Sequence, residues 1–139
     1  MSINMKKKLY PILSGLEENI VLIRQSSSPL SILNKISFGL KDIFDLALHN
    51  GNSVLADVSN TLYLFIEQAI DKDAALSEIE DILALSMEYF YLSSEDMPQY
   101  QHVEEADMIK RTVFGFLSRL DGVEYKNSPT GVSTGNISA

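Results

Sequence analysis

Apolar side chains recur at intervals of three and four residues along most of the chain, and this spacing constrains the fold more than any other feature. Residues at such intervals lie on one face of an α-helix, because the helix turns once every 3.6 residues. No stretch of alternating polar and apolar residues is long enough for a β-strand. The sequence therefore predicts an all-α protein.

Capping and turn-forming residues divide this pattern into segments. We predict helices over about 11–24, 29–49, 53–70, 74–92 and 102–120, with a loop over 93–101. Ser28 and Asp73 are expected N-caps, and either Asn52 or Ser53 can cap the third helix. Gly51 and Gly122 mark two helix ends. The short connections between the second, third and fourth helices indicate antiparallel neighbours. The expected fold is a single-domain antiparallel bundle of four to five helices.

The second helix carries apolar residues on more than one side. Besides a regular stripe that includes Leu33 and Ile43, it contains Leu30, Phe38, Leu46 and Leu48. We therefore expect this helix to be buried on more than one side.

Composition changes after residue 122. Residues 123–139 are rich in Asn, Ser, Pro, Thr and Gly, and they have too few apolar groups to offset the entropy of ordering them. We predict a helical domain over 1–122 and a flexible polar tail over 123–139. The chain contains no Cys, so an apolar core must hold the domain together, and thiol chemistry is excluded.

The charge is distributed unevenly. The 139 residues carry a net charge of −8, but residues 42–107 contain fifteen acidic residues and one basic residue, Lys72, whereas residues 1–41 carry +4 and residues 108–139 carry +2. Three explanations stay open. The third and fourth helices expose acidic faces that the cationic ends of the chain partly neutralise, or an acidic surface attracts a basic protein, or ordered carboxylates mimic nucleic acid.

Several kinds of binding are disfavoured. The chain lacks the clustered Lys and Arg that nucleic acids and anionic membranes require. No run approaches the ~18 apolar residues needed to span a bilayer. The basic start of the chain is followed by an apolar stretch over 9–16, which ends at Glu17 without a small-residue cleavage site. We expect a cytoplasmic protein that binds neither nucleic acid nor membrane.

The sequence offers little catalytic chemistry. The phosphate-binding and nucleophile motifs that depend on Gly spacing are absent, and we expect no cofactor. His102 and Glu105 are spaced like metal ligands on a helix, but the Glu-x-x-His pairs of di-iron bundles do not occur. We predict no enzymatic activity, and a metal-dependent bundle enzyme that uses His102 and Glu105 stays as an alternative.

Histidine phosphotransfer modules resemble this chain in size and helix content. They carry an exposed His within a His-x-x-Lys-Gly pattern, and neither His49 nor His102 is followed by that pattern. A signalling module of this kind that binds a partner without carrying phosphate is a second alternative.

Aromatic residues cluster near the end of the fourth helix. Tyr89, Phe90 and Tyr91 are consecutive, so they cover about 200° of a helix and cannot all face one core. Tyr beside Met is enriched at protein interfaces, and Met97 and Tyr100 follow in the loop. Half-buried Tyr rings around a core Phe90 explain the cluster equally well.

Together these features predict a non-catalytic protein-binding module, such as an adaptor, an inhibitor or an export-chaperone-like regulator. Its acidic helices would attract a basic protein, and the aromatic cluster would supply the lasting contact. The sequence leaves a homodimer open. The expected partner-binding residues are Glu78, Asp81, Glu88, Tyr89, Tyr91, Met97 and Tyr100.

Overall fold

The described residues form five α-helices. The computed structural model describes residues 3–95 and 102–121, with side chains over 6–94 and 102–120, and it contains no strand in those ranges. The all-α prediction is confirmed. The helices are α1 (Ile3–Leu22), α2 (Pro29–His49), α3 (Ser53–Asp71), α4 (Leu76–Glu95) and α5 (Val103–Asp121).

The helices pack as a ring. Helix α1 packs against α2 and α4, α3 packs against α2 and α5, and α4 packs against α5 and less extensively against α3. Arg24 follows the end of α1 and pairs with Glu80 near the start of α4, so these two helices are antiparallel. Helix α5 runs parallel to α3, because Phe116 of α5 meets Phe65 of α3 edge-on while Lys110 of α5 meets Asp57 of α3.

The core draws on the inward face of every helix. Leu13, Leu40, Leu62, Phe90 and Val113 represent the five helices in one contiguous buried cluster. Burial of large apolar side chains is the main stabilising contribution to such a bundle, at roughly 1.5–3 kcal/mol per side chain.

Capping and turn-forming residues account for some of the helix ends but not for all of them. Helix α3 begins where predicted, and the Asn52 side chain accepts a hydrogen bond from the backbone N–H of Leu55 at 3.1 Å. Gly51 lies in the left-handed region at φ 71°, which ends α2 as expected. Ser28 precedes α2 as predicted, but its side chain makes no capping hydrogen bond.

Helix α4 starts and ends later than predicted. Asp73 is not its N-cap, because Asp73 lies in the left-handed region at φ 54° and Ala75 provides the first helical carbonyl. Ser93 and Ser94 continue α4 instead of opening a loop. Both side chains are buried, and the Ser94 hydroxyl donates to the Tyr91 carbonyl, which satisfies a polar group inside the helix.

Helix α1 also begins earlier than predicted. It starts at Ile3 and includes Pro11, and Leu9 is fully buried together with Leu13. Leu9 extends the apolar stripe toward the N-terminus, so packing carries the helix through the proline.

The prediction of a widened buried face on α2 is only partly right, because Leu46 packs against the core but the other three residues of that face do not. Leu30, Phe38 and Leu48 are 56%, 70% and 56% exposed. In the part of the chain that the structure describes, α2 contacts only α1 and α3, so its third side faces solvent.

Some predictions fall outside the described residues. These are the end marked by Gly122, most of the loop over 93–101, the tail over 123–139 and the domain boundary before it. Within the described ranges, none of the helices has the length and apolar character required to cross a membrane.

Candidate functional site

A narrow groove runs between the second half of α4 and the first half of α5. Its volume is about 100 Å³, which matches the tip of one side chain better than a whole small molecule. Its surface is mostly apolar, and carboxylates stand on both helices. The lining residues are Leu85, Glu88, Tyr89 and Leu92 from α4, and Glu105, Met108 and Ile109 from α5.

The groove follows from helical spacing on α4. Asp81, Leu85, Glu88 and Leu92 are separated by four, three and four residues, so they form one stripe along the helix. Asp81 and Glu88 are exposed, and neither has an ion-pair partner among the described residues. The stripe therefore alternates unneutralised carboxylates with half-buried leucines.

The α5 side of the groove likewise combines a carboxylate with an apolar side chain. Glu105 lies one helical turn before Met108, whose side chain is exposed. The nearby ammonium group of Lys110 does not neutralise the groove, because its Nζ lies 2.6 Å from Asp57 Oδ2 on α3. An apolar floor with acidic edges results.

Tyr89 lies in the floor of the groove and not on its surface. Its side chain is 2% exposed, and its buried hydroxyl has no hydrogen-bond partner. Burial raises the pKa of Tyr89 to about 12, and the carboxylates of Asp57 and Glu105 add to the rise, while the Ser93 hydroxyl one turn away acts in the opposite direction. Tyr89 is therefore not one of the exposed Tyr rings, and its role in partner binding stays a prediction.

Tyr91 faces a different neighbour. Its hydroxyl donates to Glu17 Oε1 on α1 at 2.9 Å, and its ring meets Tyr10 edge-on at 6.0 Å between ring centres. Partial burial raises the pKa of Tyr91, and the hydrogen bond from its protonated form to Glu17 adds to this. Tyr91 thus belongs to the α1–α4 contact and lies apart from the groove.

The cationic flanks of the chain reach back to the acidic block. Arg24 Nε lies 2.6 Å from Glu80 Oε1, and Arg119 Nη2 lies 3.6 Å from Glu78 Oε1. Glu80 Oε1 is buried and accepts no aligned hydrogen bond, so its contact with Arg24 is an ion pair only. Neutralisation by the flanks therefore accounts for part of the acidic block, and Glu78, an expected partner-binding residue, is engaged within the molecule.

Among the described residues, neither histidine belongs to a group of three or more potential metal ligands. His102 Nδ1 lies 3.9 Å from Glu105 Oε1. Within residues 6–94 and 102–120, no group of three or more His, Cys, Asp or Glu side chains converges closely enough to hold a metal ion. His49 is exposed in the last turn of α2. Nothing in these positions supports the metal-dependent alternative.

The structure brings together only part of the expected site. Glu88 and Tyr89 share the groove, Asp81 lies on the same stripe, and Met97 and Tyr100 lie outside the described residues. Sequence reasoning missed Leu85, Leu92 and Met108. The spacing of the α4 stripe could have indicated the first two, but Met108 joins them only because α5 packs on α4.

The described residues form an all-α bundle of five helices with an acid-edged apolar groove. No protein-family model matches the chain, and no curated protein or solved structure does either.

Proposed function

We propose that the protein is a non-catalytic binding module that holds a basic segment of another protein in the α4–α5 groove. Such a module would serve as an adaptor, an inhibitor or an export-chaperone-like regulator. The observation that supports it is the combination of an apolar floor with carboxylates on both edges, Glu88 on α4 and Glu105 on α5.

A face that only keeps the protein soluble would explain the acids but not the groove. Leu85, Leu92 and Met108 keep apolar surface at this position although charged residues surround it. Binding to a partner would bury that surface, and the carboxylates would meet Lys or Arg side chains. The expected ligand is thus an amphipathic segment with apolar and cationic residues.

The acids and the floor would contribute differently. Asp81 and Glu88 act at a distance, since unneutralised surface charge increases the association rate and this effect weakens with salt. The leucines and Met108 act at close range, because burial of apolar surface slows dissociation.

Binding of a defined peptide tests the proposal. The probe is a short helical peptide of Leu and Lys, compared with a Leu and Glu peptide of the same length. We expect the basic peptide to bind, and we expect Glu88→Lys to weaken its binding about tenfold. Asp71→Lys is the matched control, because it makes the same charge change at the opposite end of the bundle.

Equal loss of affinity in Glu88→Lys and Asp71→Lys would contradict the proposal, since it would reduce the effect to net charge. The native partner can be sought with the same pair of variants. A basic protein captured from the host by the wild type and by Asp71→Lys, but not by Glu88→Lys, is the expected result.

A further inference from the structure

A second surface is independent of the groove. The outer side of α2 carries the most exposed of the large apolar side chains described, Phe38, with Leu30 and Leu48 nearer the two ends of the helix. These residues share one stripe with three polar residues. The stripe consists of Leu30, Asn34, Phe38, Lys41, Asp45 and Leu48.

The spacing of this stripe suits contact with another helix. From Asn34 to Leu48 the intervals alternate between four and three residues. Helices that pack side by side with a crossing angle near 20° use this alternation, because it keeps one seam facing the partner along the whole length. The α2 stripe therefore has the geometry of a helix-pairing seam that nothing in the described part of the chain covers.

We infer that α2 pairs in antiparallel orientation with α2 of a second copy of this chain. An antiparallel pair centred on Gly39 places Leu30 opposite Leu48 of the other copy. The same register places Lys35 opposite Asp42. Apolar residues thus meet apolar residues, and opposite charges meet, on both sides of the two-fold axis.

The inner pairs of the seam agree with the same register. Asn34 lies opposite Asp45 of the second copy, and an amide can donate a hydrogen bond to a carboxylate. Phe38 lies near Lys41 of the second copy, where a cation can stack on the ring. All of these pairs are centred within one residue of Gly39.

The charges select antiparallel pairing. Within the described residues, no ion pair occupies Lys35, Lys41, Asp42 or Asp45, and all four side chains are exposed. A parallel pair would place each charge opposite its own copy, which is repulsive. In the antiparallel pair each of these charged side chains meets a favourable partner on the other copy. A second copy therefore fits this face better than a partner of one charge sign.

The surface is large enough for a reversible dimer. A helix of 21 residues is about 30 Å long, and a shallow depression beside Leu30, Asn34 and Phe38 can receive Leu48 of the second copy. One pair of helices is at the low end of the area that specific interfaces bury, so a dissociation constant of about 1–100 µM is expected. Helix α2 does not pack against α4 or α5 in the described structure, and the groove stays accessible in the dimer.

Charge reversals on α2 test this pairing by sedimentation. We expect Lys35→Asp and Asp42→Lys each to weaken the dimer about tenfold or more, because each places two like charges opposite one another twice per dimer. A mixture of the two variants should form a heterodimer with an affinity close to that of the wild type, since every pair across the interface is again complementary. This recovery also shows that both variants are folded.

The apolar contact is tested in parallel. Leu48→Ser should weaken the dimer on the order of tenfold, whereas Val103→Ser on α5, where the side chain is 54% exposed, should leave it unchanged. A wild-type protein that stays monomeric at several hundred micromolar, or a mixture of Lys35→Asp and Asp42→Lys that stays monomeric, would overturn the inference.

Discussion

The outer face of α2 and the α4–α5 groove both expose apolar side chains, but their charges differ. Helix α2 carries both signs, with Lys35 ahead of Asp42 along one side of the helix. The stripe beside the groove carries acids only, with Asp81 and Glu88 unneutralised by the described residues. A face with both signs can complement its own copy, whereas an acidic face repels its copy and requires a basic partner.

The two faces also differ in their relation to the core. The outer stripe of α2 lies on the opposite side of the helix from buried Leu40, so changing it leaves the core intact. The floor of the groove is continuous with the core, because Tyr89 and Ile109 line the groove and are also members of the buried cluster. Ligand binding at the groove is therefore coupled to the stability of the bundle, and pairing through α2 is coupled to it less directly.

The largest expected effect is a difference in the free energy of unfolding between substitutions on the two sides of α2. Leu40→Ala creates a cavity in the core and should lower the free energy of unfolding by about 3 kcal/mol. Phe38→Ser removes an exposed ring and should change it by less than about 0.5 kcal/mol in dilute protein. Chemical denaturation at low concentration measures both. Similar losses in the two variants would contradict an uncovered outer face.

The next effect concerns the acidic edge of the groove. Glu88→Lys should slow association of the basic peptide about tenfold and flatten the dependence of the rate on salt, because it reverses a charge next to the binding surface. Asp71→Lys should change the rate much less. Stopped-flow mixing over a range of ionic strength provides the measurement, and parallel salt slopes for the two variants would count against a local role for Glu88.

A substitution in the floor of the groove should stabilise the protein instead of destabilising it. Tyr89→Phe removes a buried hydroxyl without a partner and should raise the free energy of unfolding by about 1 kcal/mol. Tyr91→Phe loses the hydrogen bond to Glu17 and should lower it slightly. Thermal denaturation of the two variants provides the comparison, and destabilisation by both changes would show that the Tyr89 hydroxyl is satisfied in the native protein.

The buried Tyr89 ring should also make the stability of the protein depend on pH in the alkaline range. The pKa of Tyr89 is about 12 in the folded protein, against an ordinary value near 10 for the unfolded chain. The unfolded chain therefore loses this proton first, so the stability that the neutral ring contributes is present below pH 10 and is lost as the pH rises toward 12. Tyr89→Phe should reduce the loss of stability over that range, and an unchanged pH profile would contradict the assignment.

The smallest effect comes from the ion pair between Arg119 and Glu78. Both side chains are largely exposed, so Arg119→Ala should lower the free energy of unfolding by less than about 0.5 kcal/mol. The same change frees Glu78 to join the acidic surface, and association of the basic peptide should become slightly faster. A slower association would show that Arg119 itself contacts the ligand.

Local signals in the sequence predict much of the fold. Pro29 and Gly51 define α2 because their effect on the backbone needs no tertiary contact. Ser93 and Ser94 read as loop residues, since Ser favours turns, and only burial on the inner side of α4 keeps them helical. Boundaries set by packing are thus the ones that the sequence alone does not predict.

The candidate site was less predictable for a related reason. Glu88 is visible as an unpaired acid in the sequence, but its relation to Met108 depends on α5 packing beside α4. The exposure of Phe38 likewise depends on which helices surround α2. Helical periodicity places residues on a face, and only the order of packing determines whether that face is covered.

Methyl NMR of the intact protein tests the separation of the two faces in one experiment. Dilution from high concentration should shift the methyl signals of Leu30 and Leu48, because it dissociates the α2 pair. Addition of the Leu and Lys peptide should shift those of Leu85, Leu92 and Met108 instead. We expect two sets of signals that do not overlap. A peptide that shifts the α2 signals, or two treatments that move the same set, would contradict the separation of the two faces.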